Sequence, residues 1–155
     1  MNNIETTGYN FLCKLKILSK IPIDGKLNII NNDLNIYDGT FISWLSRKLY
    51  SDNKDNAVKF LIDLYRDILL FTGQLIYDIN SEYDENKKLK KILLLVSLTE
   101  KLKESTIGIH NLINTYKDFL KTVSILECLE HDIIIPHIDL LIKFIPVKYH
   151  TELIK

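Results

Sequence analysis

The chain has 155 residues, and its 20 Lys and Arg balance 20 Asp and Glu, giving zero formal net charge at pH 7 and a pI near 6.9. No long-range field then steers it toward nucleic acid or an anionic membrane, so neither is an expected partner. Two cysteines, Cys13 and Cys128, cannot make a disulfide framework, and there is neither a signal peptide's basic start with its apolar run nor an apolar stretch of about 18 residues. The expected setting is reducing and non-secreted, without a membrane span.

Residues 9 to 20 place Phe11, Leu12, Leu15 and Leu18 on one helical face before Pro22 and Asp24-Gly25 interrupt the pattern, which predicts a short first helix. The period then changes to two. Leu27, Ile29, Leu34 and Ile36 alternate with Asn28 and Asn35 around Asn31-Asn32, predicting a small β-hairpin over about residues 26–37. Asp38 or Thr40 can cap a second short helix carrying Phe41, Trp44, Leu45 and Leu49. The polar run SDNKDN at 51 to 56 is the best linker, and a third helix follows from about Asp55 to Ile79. Its broad stripe is Val58, Leu61, Ile62, Tyr65, Ile68, Leu69, Leu75 and Ile76, with Phe60, Leu64 and Phe71 as a second seam.

Ser81 is the expected cap of a fourth helix running to about Lys103, with Glu82, Asp84 and Glu85 near its positive end and Asp84 paired to Lys88. Its apolar face drifts. Leu89, Ile92, Leu93 and Val96 form one stripe, expected to face the core, and Leu95, Leu98 and Leu102 point roughly opposite. After Ser105-Thr106 a fifth helix presents Ile109, Leu112, Ile113, Tyr116, Leu120 and Val123 on one face. Pro136 and Pro146 then bracket one helix of about ten residues, with room for a last turn. The expected fold is all-α, a bundle of five or six helices with a small β-hairpin near the N-terminus. It is read as a single domain over 1–155, which could subdivide into 1–50 and 55–155.

The glycines are scattered and form no phosphate-cradling loop, so no cofactor is expected. Cys128, His131 and His137, with Glu127 or Glu130 nearby, come closest to a metal-ligand set, but their spacing matches no established site and no metal is expected there. His131 could approach Cys128 at i+3 as a base, yet nothing nearby would activate the thiol. Lys87, Lys88, Lys90 and Lys91, with Lys101 and Lys103, are flanked by acidic residues and spread around the axis by helical phase, and they read as a solvated face. What remains is apolar surface in excess of a five-helix monomer's needs. Phe60, Leu64, Phe71, Leu94, Leu95 and Leu98, with Leu70, are the expected interface to a second copy or another protein.

Three segments carry a resemblance: LSKIPIDGKLNI with the LNI that ends at residue 36, SWLSRKLYSDNKDNAVKFL at 43 to 61, and GIHNLINTYKDFLKTVSILECLEHDI at 108 to 133. In the order of these features the chain resembles a set of small proteins encoded by giant viruses, the nucleocytoplasmic large DNA viruses. It departs from that pattern at Ser51-Asp52-Asn53-Lys54, where a Gly-Glu-Ser-Arg-like turn would stand. The near absence of alanine and arginine beside abundant lysine, isoleucine and asparagine fits AT-rich coding. The resemblance implies a non-enzymatic structural or interaction component, a minor capsid or virion-associated protein found in the virion or host cytoplasm, with other virion proteins or itself as partner. Alternatives are a host-directed helical module that binds a peptide in a groove, and a small thiol or metal enzyme using Cys128 and histidines.

Overall fold

The computed structural model describes residues 3–21, 54–117 and 123–152. The expected hairpin over 26–37 and the second short helix lie outside the described residues. Every regular element among them is helical, and they make four helical rods where five or six helices were expected along the whole sequence: α1 (Asn3–Ser19), α2 (Lys54–Ser81), α3 (Glu85–Tyr116), and a last rod of α4 (Val123–Cys128), a π turn (Leu129–Ile134) and α5 (Ile135–Phe144). A 3-10 segment, Val147–Glu152, follows.

The long helices bury a seam with alternating steps of three and four. In α2 it runs Val58, Leu61, Tyr65, Ile68, Thr72, Leu75 and Ile79, all buried. In α3 it runs Leu95, Leu98, Leu102, Ser105, Ile109 and Leu112. That spacing keeps one narrow stripe facing a neighbour aligned nearly along the helix axis. The seams meet α1 and the last rod in one apolar cluster that includes Leu15, Leu18, Leu126, Ile134, Ile138 and Leu141.

Three expectations about α3 are corrected by this register. Ser105-Thr106 does not end a helix: Ser105 Oγ donates to the Leu102 carbonyl at 2.8 Å and Thr106 Oγ1 to the Lys103 carbonyl at 2.6 Å, so both hydroxyls are satisfied inside a continuous 32-residue helix. The stripe assignment holds only in part. Leu95, Leu98 and Leu102 face the core rather than a second surface, Val96 is buried with them and Ile92 packs against them, while Leu89 and Leu93 are exposed. Nor is Ser81 the cap. It is still the last residue of α2, its hydroxyl donating to the Tyr77 carbonyl at 2.8 Å. Asp84 caps α3 instead, accepting from the Asn86 and Lys87 amides at 2.9 and 3.2 Å, which commits its carboxylate to the cap rather than to Lys88. Glu82 bridges back to Lys91 at 3.0 Å and closes the short α2–α3 turn.

α1 lies along α3. Its end tightens through Lys20 and Ile21 amides onto the carbonyls of Ile17 and Leu18, and the Asn111 Nδ2 of α3 donates to the Ile21 carbonyl at 2.8 Å. Gly108 makes that approach possible, since a Cβ there would collide with the Leu18 carbonyl.

Pro136 does not interrupt the last rod, contrary to its reading as a break. The Ile135 amide reaches the Glu130 carbonyl, a bond one residue wider than an α-helical one, and the wider turn accommodates the proline at the start of α5. The ten residues of α5 and the 3-10 turn after Pro146 match the expectation for the chain's end. Among the described residues no helix is long and apolar enough to cross a membrane.

Candidate functional site

The π turn carries the strongest polar feature of the interior. Glu130 is the charged residue among the described buried side chains, at 3% side-chain exposure. Its position follows from the spacing of the rod: Leu126, Glu130, Ile134 and Ile138 fall in a run of fours and all face inward. A buried carboxylate must be paired or hydrogen-bonded to persist. Two imidazoles meet it from the surface. His110 Nδ1 of α3 lies 2.7 Å from Oε1 and 3.0 Å from Oε2, and His131 Nε2 of the same π turn lies 3.4 Å from Oε1. Both histidine side chains are 57% exposed, and their rings meet edge to face with centroids 6.1 Å apart.

Behind the carboxylate stands a second polar chain. Tyr65 Oη of α2 donates to Ser105 Oγ of α3 at 2.7 Å, and Ser105 passes its own proton on to the Leu102 carbonyl. Complete burial pushes the Tyr65 phenol well above the usual tyrosine range; the Ser105 hydrogen bond opposes the shift and the charge of Glu130 adds to it. α2, α3 and the π turn are therefore linked by polar contacts as well as by the apolar seam. Chemically the cluster joins a buried carboxyl group, by close polar contacts, to two imidazoles that reach solvent.

The metal and thiol candidates do not converge. Cys128 is a free, exposed cysteine. His131 is engaged by Glu130, and His137 places Nε2 2.8 Å from Thr72 Oγ1 on α2, where partial burial lowers its basicity. Among the described residues no group of three or more His, Cys, Asp or Glu is arranged to hold a metal ion. Sequence reasoning passes over His110, because its partner Glu130 is twenty residues away on another helix. The run of fours through Glu130 is the available signal.

The expected interface residues are largely consumed by the chain's own packing, which corrects that assignment. Leu64, Leu95 and Leu98 are buried in the core, and Phe60, Phe71 and Leu94 are partly buried against it. α1 is what covers two of them. Phe11 meets Phe71 edge-on at 5.4 Å, and Leu94 packs over Gly8, where there is no side chain to obstruct it. Leu70, by contrast, is 68% exposed. Between α1 and α3 a groove stays open, with Glu5, Tyr9 and Leu12 on one wall and Lys90, Leu93 and Leu94 on the other, enclosing about 430 Å³. It continues toward the α2–α3 turn into a cavity of about 570 Å³ flanked by Lys87, Lys91 and Glu82. No known protein family, curated protein or solved structure matches the chain.

Proposed function

We propose that the chain is a non-enzymatic structural or protein-interaction component, acting as a minor capsid or virion-associated protein of a large DNA virus. One observation supports the interaction part. Leu70 and Tyr77 stand seven residues apart on α2, on the same face, at 68% and 67% exposure. Large apolar side chains left wet in a row along one helix mark a surface that gains by being covered. The viral setting rests on the resemblance of the sequence.

Mass spectrometry of purified particles tests the proposal. The expected result is recovery of the chain at a constant copy ratio to the major capsid protein, and loss of that recovery for Leu70→Glu combined with Tyr77→Glu while thermal unfolding of the variant stays unchanged. Absence of the wild-type chain from particles overturns the virion assignment.

A further inference from the structure

The groove between α1 and α3 has opposite charges on its two walls. Glu5 belongs to α1 and Lys90 to α3, both exposed, and neither has an ion-pair partner among the described residues. Beside them Tyr9 and Leu93 expose apolar surface, and Leu89 extends it one turn toward the start of α3. An occupant of a single charge sign would satisfy one wall and be repelled by the other. A second copy of the chain, turned about a two-fold axis, brings the same two signs in reversed order.

We propose that two copies pair through this groove, Glu5 of each facing the partner's Lys90 and the Tyr9 and Leu93 side chains meeting between them. The proposal rests on the interaction-component reading and moves the self-association surface from the buried Leu95 and Leu98 to the exposed flank of the same helix. Zero net charge removes any long-range opposition to the pairing. The patch is small. From Lys87 to Ser97 the α3 wall spans about 15 Å at 1.5 Å per residue, which places the contact at the low end of interface sizes and makes the dimer reversible and concentration-dependent.

The test uses the full chain in sedimentation velocity over a concentration series, with circular dichroism to verify that each variant is folded. Wild type is expected to shift from monomer to dimer. Glu5→Lys alone sets two lysine side chains against each other at each contact, and Lys90→Glu alone sets two glutamates against each other, so each variant is expected to weaken self-association about tenfold. Mixing the two variants is expected to restore pairing, because each contact of the heterodimer then joins one lysine to one glutamate, and Glu5→Lys combined with Lys90→Glu in one chain, which exchanges the signs on both walls, is likewise expected to restore pairing to the wild-type level. A wild type that stays monomeric at every concentration overturns the proposal, as does a dimer that both charge reversals leave intact. Recovery of the chain in purified particles is independent of either result, so the broader reading stands or falls separately.

Discussion

Replacing Gly108 with alanine is expected to destabilise the fold although alanine is the better helix former. In an open helix interior the exchange gains roughly 1 kcal/mol. At this position the added methyl would run into the carbonyl of Leu18 and lie 3.4 Å from the Ile21 Cβ. A side chain could rotate aside, but a backbone carbonyl in a helix cannot, so relief requires lifting the end of α1 from α3. That movement strains the Asn111 hydrogen bond to the Ile21 carbonyl, worth about 0.5–1.5 kcal/mol net. It also loosens Leu15, Leu18 and Ile21, all exposed by 1% or less, and overpacking of such contacts costs about 1–3 kcal/mol. After the helix-propensity gain is subtracted, the net loss is about 1–3 kcal/mol, a fall in Tm of about 2–4 °C for each kcal/mol in a chain of this size. Urea unfolding followed by circular dichroism measures it. A Gly108→Ala variant at least as stable as wild type would refute the close docking of α1 on α3.

Gly73→Ala serves as the opposite case: Gly73 is exposed in α2 with nothing near its Cβ position, so stability should rise by about 0.5–1 kcal/mol in the same assay. Glu130→Leu should leave stability unchanged or raise it, because its two imidazole partners are more than half exposed and water can replace the carboxylate, whereas buried ion pairs exchanged for apolar residues are often neutral or stabilising. A loss above about 2 kcal/mol, the cost of an unsatisfied buried group, argues against that account. The Lys91 hydrogen bond, followed by the Asp84 amide, holds the Glu82 carboxyl below the usual glutamate range. A depressed value makes the contribution of Glu82 present above the unfolded-state pKa and lost as pH falls through the folded-state value. NMR of the α2–α3 turn should therefore show an acid-induced opening that Glu82→Gln removes.

The stripe along α2 is legible because its apolar residues repeat at helical spacing through most of its length: Val58, Leu61, Tyr65, Ile68 and Leu75 are buried, and Ile62, Leu69 and Ile76 are half-buried at its edge. α3 was harder for a definite reason. Its seam includes Ser105, with Thr99 buried alongside, and polar residues at core positions look like a turn when hydropathy alone is read. Their hydroxyls are satisfied by carbonyls one turn back, a solution that leaves no mark in the pattern. The face of α3 is misjudged on similar grounds: Leu89, Ile92, Leu93 and Val96 repeat helically only in the first half of the helix, and of them Val96 is buried and Ile92 packs against the core, whereas the seam from Leu95 to Leu112 continues past them. The candidate site was less legible than the fold, since the pairing of Glu130 with His110 depends on how two distant helices are placed.

The π turn explains why a carboxylate is buried at position 130 at all. At 3.6 residues per turn, the roughly twelve steps from Leu126 to Ile138 carry a regular helix about 120° past three full rotations, so four residues spaced by fours could not all face one core. The wider bond from the Ile135 amide to the Glu130 carbonyl takes up that excess. It also removes the clash that the Pro136 ring would make with the carbonyl four residues back, at Asp132. One inserted residue thus seats the proline, returns Ile138 and Leu141 to the core, and carries position 130 inward. The burial is set by helix geometry and would be the same for leucine. The charge is therefore the part of this site that the fold does not require, and His110 and His131 are the groups through which it meets the surface.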